Sequence, residues 1–462
     1  MILHAQDTIY ALSTSLYGGA IAMIRLSGPD SHRITQQFFQ GKPLESQKSY
    51  TLQFGRIVSG ETLIDEVLLS LFRSPHSYTG EDMVEISCHA SPFIVQRILE
   101  LCHLNGARMA QPGEFSMRAF GNGKMDLSQA EAVADIIASE NATQHQMAME
   151  QMRGGYSQKI DHIRQQLIDF AALLELELDF SEEDVEFANR EQFFRMLEES
   201  RKTIRALIES FRWGNVLKKG IPVAIAGKPN AGKSTLLNAL LKEEKAIVSE
   251  IAGTTRDFIE DHLQINGVAY RFVDTAGLRE TEDVLESKGI LRSYEQIEKA
   301  ELVLYLCEIT RDYREIVEEF KALNWDVNRK VIIVLTKMDL LHNDCNSYDI
   351  EEAVSTLTGV TCVAITANNQ QHIEKLCQEI QKKVIGAQNL PDMMVSNSRH
   401  LEAFQQTLNN LNLVEEGLKN KISSEFVALD LRSALQSLGS ITGQISNEDV
   451  LSSIFSRFCI GK

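Results

Sequence analysis

The run VAIAGKPNAGKSTLLNAL, Val223 to Leu240, constrains this chain more than any other stretch. An apolar, strand-like segment runs into G-x-x-x-x-G-K-S and then into an amphipathic helix pattern, the arrangement of a phosphate-binding loop. Gly227 and Gly232 let the backbone wrap a phosphate, Lys233 can reach β- and γ-phosphates, and Ser234 can ligate Mg2+. This part of the chain is therefore expected to be α/β.

Two later strand ends fit the same site. RFVDTAG brings Asp274, placed to hold the metal through water, and Gly277, whose amide can meet a γ-phosphate. VIIVLTKMDL delivers Thr336, Lys337, Met338 and Asp339. A carboxylate at Asp339 can accept both N1–H and N2–H2 of guanine, and adenine offers no such pair of donors, so GTP is favoured over ATP. The usual guanine-reading motif begins with Asn; Thr336 departs from it, weakening one polar contact and leaving the discriminating carboxylate. ITAN, Ile365 to Asn368, stands where a loop usually covers the base. Nucleotide contacts are expected from Asn230, Ala231, Gly232, Lys233, Ser234 and Thr235, from Ser249, Thr254 and Thr255, from Asp274, Thr275, Ala276 and Gly277, and from Thr336, Lys337 and Asp339. Between the first two elements, VSEIAGTTRD resembles a GTPase switch loop, which makes Thr255 the second Mg2+ ligand beside Thr254; a surface turn at Gly253 is the alternative.

Many GTPases carry a water-orienting Gln just after D-T-A-G, but here Leu278 stands there. An apolar side chain cannot orient water. Hydrolysis then draws on Glu280, Glu282 or Glu286 and on a second cation, for which the side-chain carbonyl of Asn230 offers a ligand beside the phosphates.

The rest of the 462-residue chain supports a layout of about three domains. Residues 1–118 mix strand-like runs such as AIAMIRLSG and EVLLSLF with turns at Gly18-Gly19, Ser59-Gly60 and Pro112-Gly113, an α+β pattern. From Asp126 the texture is helical, with Asp126 as a cap and Gln129 three residues on. Ile160, Ile163, Leu167, Phe170 and Leu174 then form one apolar face. Helical spacing stops around Trp213-Gly214 and resumes after Pro391, with Leu401, Phe404, Leu408 and Leu411 on one face. Helices on the two sides are expected to bury these stripes against each other. The layout is thus an α+β N-terminal domain (1–118), an α-helical central domain (119–215, resumed at 385–462) and an inserted α/β P-loop GTPase (Ras-like) domain (216–384). The acidic ELELDFSEEDVEF reads as a solvated helix end and loop.

A formal net charge of −18 argues against indiscriminate nucleic-acid binding, which needs clustered Lys and Arg, though a local basic patch is compatible with it. The seven cysteines (Cys88, Cys102, Cys307, Cys345, Cys362, Cys377, Cys459) form no CxxC pair and read as reduced thiols of a cytoplasmic protein. No Lys or Arg precedes Arg25, so a signal peptide's positive flank is missing, and no apolar run reaches the roughly 18 residues of a membrane span.

Together, GGAIAMIRLSG, SYTGEDMVEISCH, QPGEFSMRAFGNGKMDLSQAEAVADII, GKPNAGKST, IAGTTRD, DTAGLRE, SRH and the terminal FCIGK closely resemble the MnmE (TrmE) family of tRNA-modifying GTPases over essentially the whole chain. The resemblance implies an N-terminal domain that dimerises and binds a formyl-tetrahydrofolate (5-formyltetrahydrofolate or a related folate). It also implies GTPase modules that pair across the homodimer in a K+-dependent way, and joint action with a flavin-dependent MnmG (GidA)-type partner, in a heterotetramer, on the wobble uridine of tRNA. The family's folate contacts fall on Arg25, Glu85, Lys124 and Lys462. Arg25 and the lysines suit folate carboxylates, and Glu85 suits donors of the pterin edge. Its K+ site maps to Asn230 and the Ser249–Thr254 loop, with Ser249, Ile251 and Thr254 as ligands. Its hydrolysis carboxylate maps to Glu286. SNSRH contains His400, for which the sequence supplies no role. A pure switch, such as a ribosome-assembly GTPase, is the competing class, but it has no need of a one-carbon domain or of a terminal thiol. For Cys459, CIGK lacks the ending of a prenylation signal, and a disulfide is disfavoured. Burial beside Phe455 and Phe458 competes with a part in the modification chemistry.

Overall fold

The computed structural model describes residues 7–15, 19–179, 190–243, 261–274, 297–323, 325, 330–341, 346–384, 386, 394–420, 422–445, 448–456, 458 and 460–461. The chain forms two compact units: Met1–Ala138 with Ala148–Arg205 and Arg399–Lys462, and Ser139–Met147 with Ala206–Ser398.

The first unit opens with a seven-stranded sheet. Strands β1 (Ile9–Leu12), β2 (Ile21–Ser27), β3 (Phe39–Gln40), β4 (Thr51–Ser59), β5 (Thr62–Phe72), β6 (Met83–His89) and β7 (Arg108–Met109) lie in the order β3-β4-β5-β6-β2-β1-β7. Neighbours are antiparallel except β1 and β7. Alternation along the strands sends Ile24, Leu26, Leu69 and Ile86 to a face shared with Ile34 and Phe38 of α1 (Ser31–Phe38) and Ile98 and Leu101 of α2 (Pro92–Leu104). On β4 and β5 the alternate positions Leu52, Phe54 and Leu68 stay 62, 65 and 42 % exposed.

Helices α3 (Glu114–Gly121), α4 (Leu127–Ala138), α5 (Ala142–Met152), α6 (Gly155–Asp179) and α7 (Arg190–Lys219) follow. The expected cap at Asp126 is present and reciprocal: Gln129 N–H donates to Asp126 Oδ1 at 2.8 Å and Asp126 N–H to Gln129 Oε1 at 2.9 Å. All five residues of the α6 stripe are buried. Helix α7 does not stop at Trp213-Gly214; it continues to Lys219. Gly214 is instead a point of close approach, where a Cβ would stand 2.2 Å from the Val395 carbonyl oxygen.

The second unit holds a six-stranded sheet of β8 (Ile221–Gly227), β9 (Asp261–Ile265), β10 (Val268–Asp274), β11 (Leu302–Glu308), β12 (Val331–Thr336) and β13 (Thr361–Ala364), in the order β13-β12-β11-β8-β10-β9. Only β9 runs antiparallel to its neighbour. The central strands are near-continuous apolar runs because both faces are covered: Ile225, Leu304 and Val334 enter one core and Ala224, Val303 and Ile333 the other. Among the described residues this unit also holds the end of α7 and helices α8 (Lys233–Glu243), α9 (Tyr313–Ala322), α10 (Ser347–Thr358) and α11 (Gln370–Val384). From β8 the chain passes to β9 and β10 on one side and then to β11 on the other, so the carboxyl end of β8 is a topological switch point, where ligands of such sheets bind. The short stretch Ser139–Met147 joins this unit, with Thr143 N–H and Oγ1 donating to the Gly267 carbonyl at 3.2 and 2.9 Å.

Helices α12 (Ser398–Lys419), α13 (Ser424–Thr442) and α14 (Glu448–Phe455) complete the first unit. Helix α13 packs along α6 and α4, so helices from before and after the inserted stretch do meet. On α12 the buried stripe centres on Ala403, Phe404, Thr407, Leu411 and Val414, leaving Leu401 and Leu408 half-buried at its edges.

Candidate functional site

Strand β8 ends at Gly227, whose φ of +145° and close approach to β11 suit glycine alone: a Cβ would meet the Leu306 carbonyl oxygen at 2.5 Å. Asn230 (φ +65°) and Gly232 (φ +92°) also adopt positive φ, which turns the loop back on itself. Ala231 is buried between them, and the Asn230 side chain stays exposed. Helix α8 starts at Lys233, so its first N–H groups lack helical partners and face the loop, where an anion satisfies them. The Lys233 ammonium donates to the Gly227 and Lys228 carbonyls at 2.7 and 3.2 Å. Ser234 and Thr235 lie exposed on the first turn of α8. Asp274 closes β10 in register with Ile225 of β8, at the same end of the sheet. An exposed hydroxyl at Ser234 beside that strand end fits a Mg2+ ligand.

Strand β12, which carries the expected base contacts, is tied into this loop. Thr336, at the end of β12, is buried, and its hydroxyl donates to the Ala231 carbonyl at 2.8 Å, with the Cys307 carbonyl as a second acceptor at 3.2 Å. Thr336 is therefore more than a weakened Asn: it fastens the phosphate loop to β12. Lys337 has φ +59° and pairs with Glu308 at 2.5 Å, while Asp339 is exposed on a short 3-10 turn, Met338–Leu340. Met338 N–H donates to the Ile365 carbonyl at 3.2 Å, which brings ITAN beside Asp339.

A second locus forms in the other unit. Arg25 on β2 and Glu85 on β6 are register partners, and Arg25 Nε and Nη2 both donate to Glu85 Oε1, at 2.9 and 2.7 Å. The sequence reading set these residues on different ends of one folate, and here they form an ion pair with each other. The guanidinium lies over the rings of Tyr78 and Phe115, 5.3 and 5.6 Å from their centroids, neither of which the sequence had marked. Arg25 Nη1 and Ser13 Oγ donate to the Gly461 carbonyl at 3.4 and 3.1 Å, so the C-terminal tail rests on this pair. Lys124 is exposed and donates to the Pro75 carbonyl at 3.0 Å.

His400 belongs to a buried cluster on three helices. Its Nε2 lies 2.7 Å from Glu131 Oε2, its Nδ1 2.5 Å from the Tyr156 hydroxyl, and Arg399 donates to both Glu131 oxygens at 3.1 Å. Burial would raise the Glu131 carboxyl, but His400 and Arg399 hold it at about 2. Burial pushes the imidazole below its ordinary range against the pull of Glu131, so the ring is neutral at pH 7, with Nε2 between Glu131 Oε2 and Arg399 Nη2, 2.8 Å away, and Nδ1 against the Tyr156 hydroxyl.

Ser249, Ile251, Thr254, Thr255, Thr275, Ala276, Gly277, Glu280, Glu282, Glu286, Cys459 and Lys462 lie outside the described residues. Among the described residues no helix is long and apolar enough to cross a membrane.

The MnmE helical domain family matches residues 127–459, and the family described as GTP-binding protein TrmE N-terminus matches residues 8–124. The tRNA modification GTPase MnmE of Christiangramia forsetii is 50% identical over 99% of both chains, and that of Bacteroides fragilis is 47% identical over 99% of this chain and all of its own. Among solved structures, the FeoB G-domain from Methanococcus jannaschii is 24% identical, with a TM-score of 0.26, over 36% of this chain and 98% of its own.

Proposed function

Because the chain belongs to the MnmE family of tRNA modification GTPases, we propose that it couples GTP hydrolysis to the building of a carboxymethylaminomethyl or aminomethyl group at C5 of the wobble uridine, in the cytoplasm and with a flavin-dependent partner of the MnmG type. The observation that carries this reading is the seating of the tail: the Gly461 carbonyl rests on Arg25 and Ser13, next to Glu85, at the locus suited to a folate. Cys459 and Lys462 flank that seated segment in sequence. A pure GTPase switch has no use for this locus.

In this reading, Asp339 selects guanine, and Asn230, Ala231, Gly232, Lys233, Ser234 and Thr235 hold the phosphates with Asp274, Thr275, Ala276, Gly277, Thr336 and Lys337. Ser234 and Thr255 hold Mg2+, and Asn230, Ser249, Ile251 and Thr254 hold K+. These cations supply positive charge where the leaving phosphates gather negative charge. Glu286 orients the attacking water in place of the missing glutamine. At the second locus, Arg25 and Glu85 hold the folate with Lys124 and Lys462, and the Tyr78 and Phe115 rings keep the guanidinium in place.

Cys459 serves the modification and contributes nothing to GTP hydrolysis. Burial pushes the thiols of Cys88 and Cys307 up to about 11 and that of Cys362 to about 12, and raises Cys102 further, so these four are poor nucleophiles. The test is mass spectrometry of tRNA nucleosides from cells lacking the gene, complemented with the wild type or with Cys459→Ser. The wild type should restore the modified uridine, and Cys459→Ser should hydrolyse GTP at the normal rate yet leave modification low. Normally modified uridine in the deletion strain would sink the functional reading, and normal yield with Cys459→Ser would reduce that cysteine to packing.

A further inference from the structure

The phosphate loop is held at two points by side chains from elsewhere in the sheet and its helices. One is the Thr336 hydroxyl on the Ala231 carbonyl. The other begins at Lys228, the second residue of the loop, whose ammonium donates to Glu319 Oε2 on α9 at 2.6 Å. Glu319 is itself fixed: Arg311 donates to the same oxygen at 2.9 Å, and the Tyr305 hydroxyl on β11 donates to Oε1 at 2.7 Å. Burial would raise this carboxyl, but Lys228, Tyr305 and Arg311 bring it down to about 2, so it is charged throughout the physiological range. Glu319 is 20 % exposed and Lys228 61 %, so the carboxylate is the anchored end and the lysine the tethered one.

Lys233 also binds the loop, through the Gly227 and Lys228 carbonyls. These take two of its three N–H donors, which leaves the third for a β- or γ-phosphate. Any turn of Lys233 toward the phosphates draws on the contacts that hold a loop with a non-glycine residue, Asn230, at φ +65°. We propose that Glu319 is a positioning residue of the GTPase site: through Lys228 it keeps the first half of the phosphate loop in its binding shape while Lys233 turns to the phosphates. The proposal rests on the reading of Gly227 to Ser234 as the phosphate site.

The test is titration with a fluorescent GDP analogue together with steady-state GTP turnover. Lys228→Ala and Glu319→Gln should each raise Kd for GDP roughly three- to tenfold, the scale of a partly exposed charge pair, with kcat at saturating GTP within about twofold of wild type. Lys228→Arg should restore affinity, and the double variant should bind no worse than the weaker single one, because both changes remove the same tether. Glu319→Gln also strips Arg311 and Tyr305 of a partner and can cost folding, so Lys228→Ala, an exposed change, decides the matter alone. Unchanged GDP affinity in Lys228→Ala, or full additivity in the double variant, overturns the proposal. Lys233→Ala should abolish GDP binding; undiminished binding there would overturn the phosphate-site reading and the proposal with it.

Discussion

Thr336 and His400 show how much of a residue's role lies in its partners. A threonine in place of the usual asparagine reads as a lost contact, but its hydroxyl ties β12 to the Ala231 carbonyl within a buried site. His400 lies in a short motif; its role comes from its neighbour Arg399 and from Glu131 and Tyr156, brought from elsewhere in the chain. The cluster makes stability depend on pH. His400 is held below 6.5 and Glu131 at about 2 instead of 4.5, so the unfolded chain binds more protons than the folded one across both windows. Their stabilisation is complete above about 6.5 and is lost as pH falls, first on account of His400 and then below 4.5 on account of Glu131. His32, held at about 4 by burial and Arg73, adds a slope of the same sign. The His400→Gln variant should therefore be less stable at pH 7 but lose less of its stability between pH 7 and 5 in thermal unfolding. An unaltered slope would mean that the ring is not the titrating group.

Helix α7 shows the same at the scale of an element. The Trp213-Gly214 pair reads as a helix end because glycine is a poor helix former, yet the helix runs on to Lys219. Glycine is required there by packing, since the backbone at Val395 fills the space of a Cβ. Propensity alone would have Gly214→Ala gain about 1 kcal/mol. The contact reverses the sign: backbone at 2.2 Å cannot give way as a side chain can. The Gly214→Ala variant should lose about 1–3 kcal/mol, the usual scale of overpacking, measured as a lower urea midpoint. A gain in stability would show that the helix and the Val395 segment separate freely. The cap at Asp126 is the opposite case, legible because its partner lies three residues away.

At the scale of the whole molecule, the expected homodimer and the proposed K+ site are tested together through the exposed apolar face of β4 and β5, a surface that a second copy would cover. Phe54 stands opposite Leu68 in register, and both are exposed. A charge buried against its own copy is costly. The Phe54→Glu variant should therefore sediment as a single copy at micromolar protein and lose the rise in GTP turnover that the wild type shows in K+ over Na+. Equal wild-type turnover in the two salts would sink the K+ assignment, and a variant that stays paired would move the interface elsewhere. The sequence by itself determined the phosphate loop, the strands that deliver Asp274 and Asp339, the α6 stripe and the three-part layout. Each is written in neighbouring residues, in periods of 2 or 3.6, or in the fixed spacing of a motif. Only the tertiary structure decided that Arg25 pairs with Glu85 and carries a tail 436 residues away, that Thr336 fastens the phosphate loop, that Glu319 holds Lys228, and that Gly214 is a contact and not an end. These depend on distances closed by the folding of segments far apart in the chain. Such contacts leave no periodic trace in a single sequence.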